Sequence, residues 1–162
     1  MNSEFTFDLT SPFHMGYIVD DVENEMAQIS SAGGITWHPP QEMALELLVE
    51  GELVELEVFF TYSKEGPVQI ELAQGPKGTF WDYSEYGGPH HNGYWTSDLL
   101  GDIKGFQACG FELLYTGMGE ESSPEGFAML RGSSGIRVEL IDEIMLPMFE
   151  TWYATGSFPE IV

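Results

Sequence analysis

The chain has 162 residues with 27 acidic and 5 basic side chains, a formal net charge of −22, and it is 43% hydrophobic and 14% aromatic. That apolar content predicts one compact domain, or two small halves sharing a core, while the charge repels phosphate backbones and anionic bilayers and so sets nucleic-acid and membrane partners aside. No apolar run approaches the roughly 20 residues of a membrane span; the single Cys109 forms no intrachain disulfide, and the opening segment lacks the basic and apolar regions of a secretory signal, so a cytoplasmic protein is expected.

In chain order, residues 14–19 have the short aromatic and β-branched character of a strand. A helical pattern follows, with Val22, Met26 and Ile29 on one face and a Gly33-Gly34 stop. Strands are predicted at 43–49 and 53–62, flanking the turn Glu50-Gly51-Glu52, and at 67–73. Gly75–Pro89, rich in glycine, proline and aromatics, reads as a linker. The pattern then repeats: a strand at 91–96, a helix carrying Leu99, Ile103 and Phe106 and closed by Cys109-Gly110, and strands near 111–116, 126–131 and 135–141. From Pro147 onward a short helix or an arm is expected.

The repetition is visible in the residues. His14-Met15-Gly16-Tyr17 with Asp21, and His91-Asn92-Gly93-Tyr94 with Asp98, both read His-x-Gly-Tyr-x-x-x-Asp, and Gly33 and Gly110 fall 19 residues after their histidines. We read a duplicated β-α-β-β-β module: residues 12–75, a linker at 76–89, a second module at 90–145 and a tail at 146–162. The fold class is α+β, with the two modules forming a curved mixed sheet.

The last strand of each module carries a second shared signature. In Val68-Gln69-Ile70-Glu71-Leu72 and Ile136-Arg137-Val138-Glu139-Leu140, side-chain alternation sets Glu71 and Glu139 opposite the apolar face. A carboxylate on a central strand needs a cation or a donor, because burying it alone costs several kcal/mol. Two histidines and two carboxylates at equivalent points of two modules could converge on one divalent ion, and imidazole nitrogen with carboxylate oxygen suits Zn, Ni, Co, Mn or Fe(II).

These residues resemble the vicinal-oxygen-chelate superfamily of glyoxalases, methylmalonyl-CoA epimerases, extradiol dioxygenases and fosfomycin- and bleomycin-resistance proteins. The carriers are Phe13–Asp21, Ile70-Glu71-Leu72, Gly88–Trp95 and Val138-Glu139-Leu140, and the linker Gly78-Thr79-Phe80-Trp81 looks most like the glyoxalase and epimerase branch. The resemblance implies a cup-shaped sheet around a metal held by His14, Glu71, His91 and Glu139, and a homodimer. It implies catalysis by carbonyl polarisation and proton transfer, with Glu139 as the first candidate base and Glu71 the second. His90, on the opposite strand face from His91, is a candidate for proton transfer or for supporting its neighbour. The loop Arg131–Gly135 departs from the family's usual Asp-Pro-x-Gly hairpin.

Other residues receive plainer readings. Gly16 and Gly93 are expected to allow close backbone approach, and Tyr17, Tyr94 and Trp95 to belong to the core. His38 is expected at a cavity rim or on the surface. Phe80, Trp81, Tyr83 and Tyr86 form either an apolar wall for a ligand or a patch packed against the tail. The run Glu46, Glu50, Glu52, Glu55 and Glu57 reads as a solvated sheet face. With only Lys64, Lys77, Lys104, Arg131 and Arg137 to meet anions, a small uncharged carbonyl substrate ranks above an acyl-CoA. The expected activity is a metal-dependent isomerase or lyase. The alternatives are a non-catalytic binder of the bleomycin-resistance type and an Fe(II) extradiol dioxygenase using His14, His91 and Glu139.

Overall fold

The computed structural model describes residues 4–159. The first half runs β1 (His14–Ile18), α1 (Val22–Gly33), β2 (Gln41–Val49), β3 (Glu52–Tyr62) and β4 (Gln69–Gln74). The second runs β5 (Gly88–Thr96), α3 (Leu99–Ala108), β6 (Glu112–Thr116), the short pair β7 (Gly119–Glu120) and β8 (Ser123–Pro124), β9 (Phe127–Arg131) and β10 (Arg137–Asp142). Between the halves lies α2 (Tyr83–Tyr86); a 3-10 turn (Glu143–Met145) and α4 (Leu146–Thr155) follow β10. The segment read as linker is thus partly structured, since it contains α2 and the first residues of β5.

Each half builds a four-stranded sheet in which the first strand pairs parallel with the last: β1 with β4, and β5 with β10. The halves join where β1 runs antiparallel to β5, with His14 opposite Gly93 and Gly16 opposite His91. A single pairing, Leu48 with Thr116, joins β2 to β6 on the far side. The sheet therefore closes into a barrel in the order β1-β4-β3-β2-β6-β9-β10-β5, the curved mixed sheet expected from two such modules.

The helices form where the caps and apolar spacing place them. Asp21 and Asp98 accept from the backbone N–H groups of Asn24 and Gly101 at 3.0 Å each, and Gly34 ends α1 with φ +67°. α1 packs through Val22, Met26 and Ile29 onto Val19, Ile70 and Leu72. Under α3 the matching positions Leu99, Ile103 and Phe106 bury against Val138 and Leu140. Each last strand is thus apolar on its helix side, and its glutamate faces the barrel interior. The N-terminal segment also contributes, with Phe5 and Phe7 packing against the α3 cluster and Tyr94 donating its hydroxyl to Leu9 O at 2.9 Å. No helix among the described residues is long and apolar enough to cross a membrane.

Candidate metal centre

The seam between β1 and β5 brings the two histidines together. His14 is fully buried, and its Nε2 lies 3.0 Å from His91 Nε2. Glu71 enters from β4 with Oε2 at 2.8 Å from His14 Nε2 and 3.5 Å from His91 Nε2. Glu139 enters from β10 with Oε2 at 2.8 Å from His91 Nε2 and 4.0 Å from His14 Nε2. One ligand atom from each residue lies within 4.8 Å of every other.

The sequence repeat has a direct physical meaning at this seam. A Cβ on Gly93 would occupy the imidazole ring of His14, and a Cβ on Gly16 would occupy that of His91. Each module's glycine therefore makes room for the other module's histidine. The close approach expected at these glycines is made by side-chain rings.

The residues fit a metal ion. Nitrogen and oxygen ligands held at about 2.0–2.2 Å stand about 3.0 Å apart at right angles and about 3.4 Å apart at the tetrahedral angle, and the contacts seen here, from 2.8 to 4.0 Å, spread around those separations. Glu71 Oε2 is buried without a hydrogen bond, although His14 Nε2 lies 2.8 Å away: the groups are close but not aimed at one another as donor and acceptor. Lone pairs converging on a common centre produce that arrangement. Burial opposes charge on Glu71, yet the two imidazoles hold its carboxyl far below the ordinary carboxylate range. Burial likewise pulls His91 down, but the Glu139 and Glu71 carboxylates carry it up to about 10. A proton on His91 thus offsets buried carboxylate charge where no other cation does.

A cavity lies against the cluster, inside the barrel. Its volume is about 90 Å³, and its walls are Met43, Leu45, Val58, Phe60, Tyr62, Trp81, Tyr115, Phe127 and Ile141 with the carboxylates of Glu71 and Glu139. Met145, Phe149 and Phe158 line it from the C-terminal segment. Among the described residues, no lysine, arginine or histidine lines it. The phenols Tyr62 and Tyr115 are held well above the ordinary tyrosine value by burial and by the two carboxylates, so both remain protonated donors.

The structure separates the remaining sequence candidates. His90 is the extra residue of a bulge, since Gly16 pairs with His91 and Tyr17 with Pro89. It does not line the cavity; its Nδ1 lies 2.9 Å from His91 Nδ1, and burial together with the charges of His91 and Arg137 pushes it down to about 3. His38, expected at a rim or surface, is buried and stacks on Tyr153 with ring centroids 4.0 Å apart. Of the four linker aromatics Trp81 is the one that joins the cavity wall; Phe80 packs on Tyr115, Tyr86 meets His90 edge-on, and Tyr83 is exposed. Glu46, Glu50, Glu52, Glu55 and Glu57 are exposed, and none reaches the cavity. Sequence reasoning missed Tyr62 and Tyr115. The signal for Tyr62 was the alternation that sends Glu55 and Glu57 outward and leaves Val58, Phe60 and Tyr62 inward in phase.

A sequence profile of the Glyoxalase/Bleomycin resistance protein/Dioxygenase superfamily matches residues 13–129. The chain belongs to this superfamily. Solved structures similar to this superfamily member include a hypothetical protein of Bacillus halodurans (TM-score 0.60, 12% identity, covering 82% of this chain and 93% of that one). A Streptomyces coelicolor methylmalonyl-CoA epimerase in complex with 2-nitronate-propionyl-CoA gives 0.58 at 14% identity, covering 83% and 94%. The Mycobacterium tuberculosis methylmalonyl-CoA epimerase gives 0.57 at 16%, covering 82% and 87%. At these identities the likeness is one of fold. No curated protein matches the chain significantly by sequence.

Proposed function

We propose that the protein is a metal-dependent isomerase or lyase of the glyoxalase and epimerase type, acting on a small uncharged carbonyl compound. One observation carries this reading: the His14, Glu71, His91 and Glu139 cluster opens into an apolar cavity through its two carboxylates. His14 and His91 would hold one divalent ion (Zn, Ni, Co, Mn or Fe(II)) together with the glutamates, and the ion, when bound, supplies Lewis-acid polarisation of a carbonyl oxygen.

The chain's own groups do the rest. Apolar walls exclude water and admit an uncharged substrate. Beside the two carboxylates, the protonated phenols Tyr62 and Tyr115 are the hydroxyl-bearing side chains of the lining and would orient a polar substrate group. Glu139, with a side chain 13% exposed against 9% for Glu71, is the more accessible carboxylate. It takes the proton from the carbon next to the carbonyl; the C–H electron pair moves onto the carbonyl oxygen, and the proton returns to that carbon or its neighbour. An Fe(II) dioxygenase using His14, His91 and Glu139 alone would leave Glu71 in the cluster without a role. The lack of any cationic side chain in the cavity supports an uncharged substrate over an acyl-CoA.

The test is solvent deuterium incorporation. Metal-loaded protein in D₂O, incubated with neutral hydroxyketones and ketoaldehydes, is expected to exchange the proton next to the carbonyl. Glu139→Gln should slow this by about 10²–10⁴-fold. Exchange equally fast with Glu139→Gln would remove Glu139 as the base, and no exchange with any neutral carbonyl would contradict the reading.

A further inference from the structure

The two halves of the candidate centre are not equivalent, and the asymmetry lies behind the histidines. His14 Nδ1 is buried with no hydrogen-bond partner among the described residues. His91 Nδ1, by contrast, meets His90 Nδ1 at 2.9 Å, with the two rings edge to face at 86°. The sequence repeat shows where this comes from. At the offset that superposes His14 on His91, position 90 corresponds to Phe13, whose ring packs edge-on against His14 at 4.5 Å. One module has an apolar ring behind its histidine and the other has an imidazole. The β5 bulge keeps His90 buried against His91 while leaving it outside the cavity.

We propose that His90 is a positioning residue that accepts the Nδ1–H of His91 and so fixes its tautomer and ring orientation, with Nε2 presented to the carboxylate cluster. The chemistry leaves one assignment. Nε2 of His91 faces Glu139 Oε2 at 2.8 Å and His14 Nε2 at 3.0 Å, so an ion at the cluster takes its lone pair. The ring proton must then sit on Nδ1, where His90 Nδ1 is the acceptor in place. A polar partner on the far nitrogen raises the basicity of a ligating imidazole and restricts its rotation. His91 is therefore held through both ring nitrogens, and His14 through Nε2 and the packing of its ring. This inference rests on the metal reading above for the direction of the hydrogen bond and its consequence, while the 2.9 Å contact itself stands apart from it.

The test uses the full chain with His90→Asn, which keeps an acceptor near the same place, and His90→Leu, which removes it. Zn²⁺ affinity is measured by chelator competition, and the His91 tautomer by ¹⁵N NMR, including the coupling across an N–H···N bond between the two Nδ1 atoms. The expected results are a coupling with the proton on His91 in the wild type, a roughly 10- to 100-fold loss of Zn²⁺ affinity in His90→Leu, and substantial retention in His90→Asn. Equal affinity in His90→Leu and wild type, or equal losses in both variants, would overturn the proposal. So would a proton resident on His90. Should the wild type bind no Zn²⁺, the metal reading fails, and the NMR coupling decides the His90–His91 contact separately.

Discussion

At the scale of single residues, the centre depends on what is absent from two positions as much as on its ligands. Gly16 and Gly93 leave the space that the opposing imidazoles fill. Gly93→Ala is expected to push His14 aside, to cost on the order of 1–3 kcal/mol by overpacking and to abolish metal binding, read from denaturant midpoints and metal content. An alanine variant that binds metal normally would show that the seam tolerates the extra methyl group. The histidine and glutamate spacing was legible because both modules repeat it, and the glycines were legible as a pattern though not as ring sockets. The roles of Tyr62 and Tyr115 were hidden, because a tyrosine on an alternating strand is equally at home in a core, and only barrel closure turns that face toward a cavity.

Charge in the cluster gives a second expectation. His91 is raised to about 10, so in the ion-free protein its protonation stabilises the fold fully below the ordinary histidine value near 6.5 and is lost as pH rises through about 10. Glu71 is lowered, so its contribution is present above the ordinary value near 4.5 and lost on acidification. Ion-free protein should thus melt highest between about pH 4.5 and 6.5. Because metal must displace the proton of His91, apparent metal affinity should climb steadily between pH 6.5 and 10. Calorimetry and chelator competition across that range check both; an affinity independent of pH would contradict the proton balance.

At the scale of elements, the last segment is a roof over the barrel. Trp152 donates Nε1–H to Pro39 O at 2.8 Å, and Gln41 donates to Gly156 O at 3.0 Å, which ties α4 and the chain after it to the start of β2. Phe149 packs on Tyr62 and Trp95, with ring centroids at 5.6 and 5.4 Å. The sequence allowed either a helix or an arm here, since an apolar segment does not say which surface it covers. Phe149→Ala should cost about 3–5 kcal/mol, the usual range for a buried phenylalanine. Phe158, only half-buried, should cost less when changed to alanine and should shift selectivity toward bulkier carbonyl compounds. Selectivity unchanged in Phe158→Ala would mean that the roof does not shape the substrate space.

At the scale of the whole molecule, two β-α-β-β-β patterns close one barrel whose inside and outside differ sharply in character. The outer face of β2 and β3 carries Glu42, Glu46, Glu55 and Glu57, all exposed, while the inner face of the same strands is apolar. That separation was readable from alternation alone. Closure was not, because the seam of β2 and β6 is a single residue pair and leaves no pattern in the sequence. The −22 charge lies mostly on the outside; among the described residues Glu71 and Asp82 are the buried carboxylates, and Glu139 is half-buried. The most direct measurement is therefore elemental analysis of the purified and metal-reconstituted protein beside His91→Ala and Glu139→Ala. The structure predicts about one divalent transition metal per chain, lost in both variants; a wild type that holds none after reconstitution, or variants that hold as much as the wild type, would contradict it.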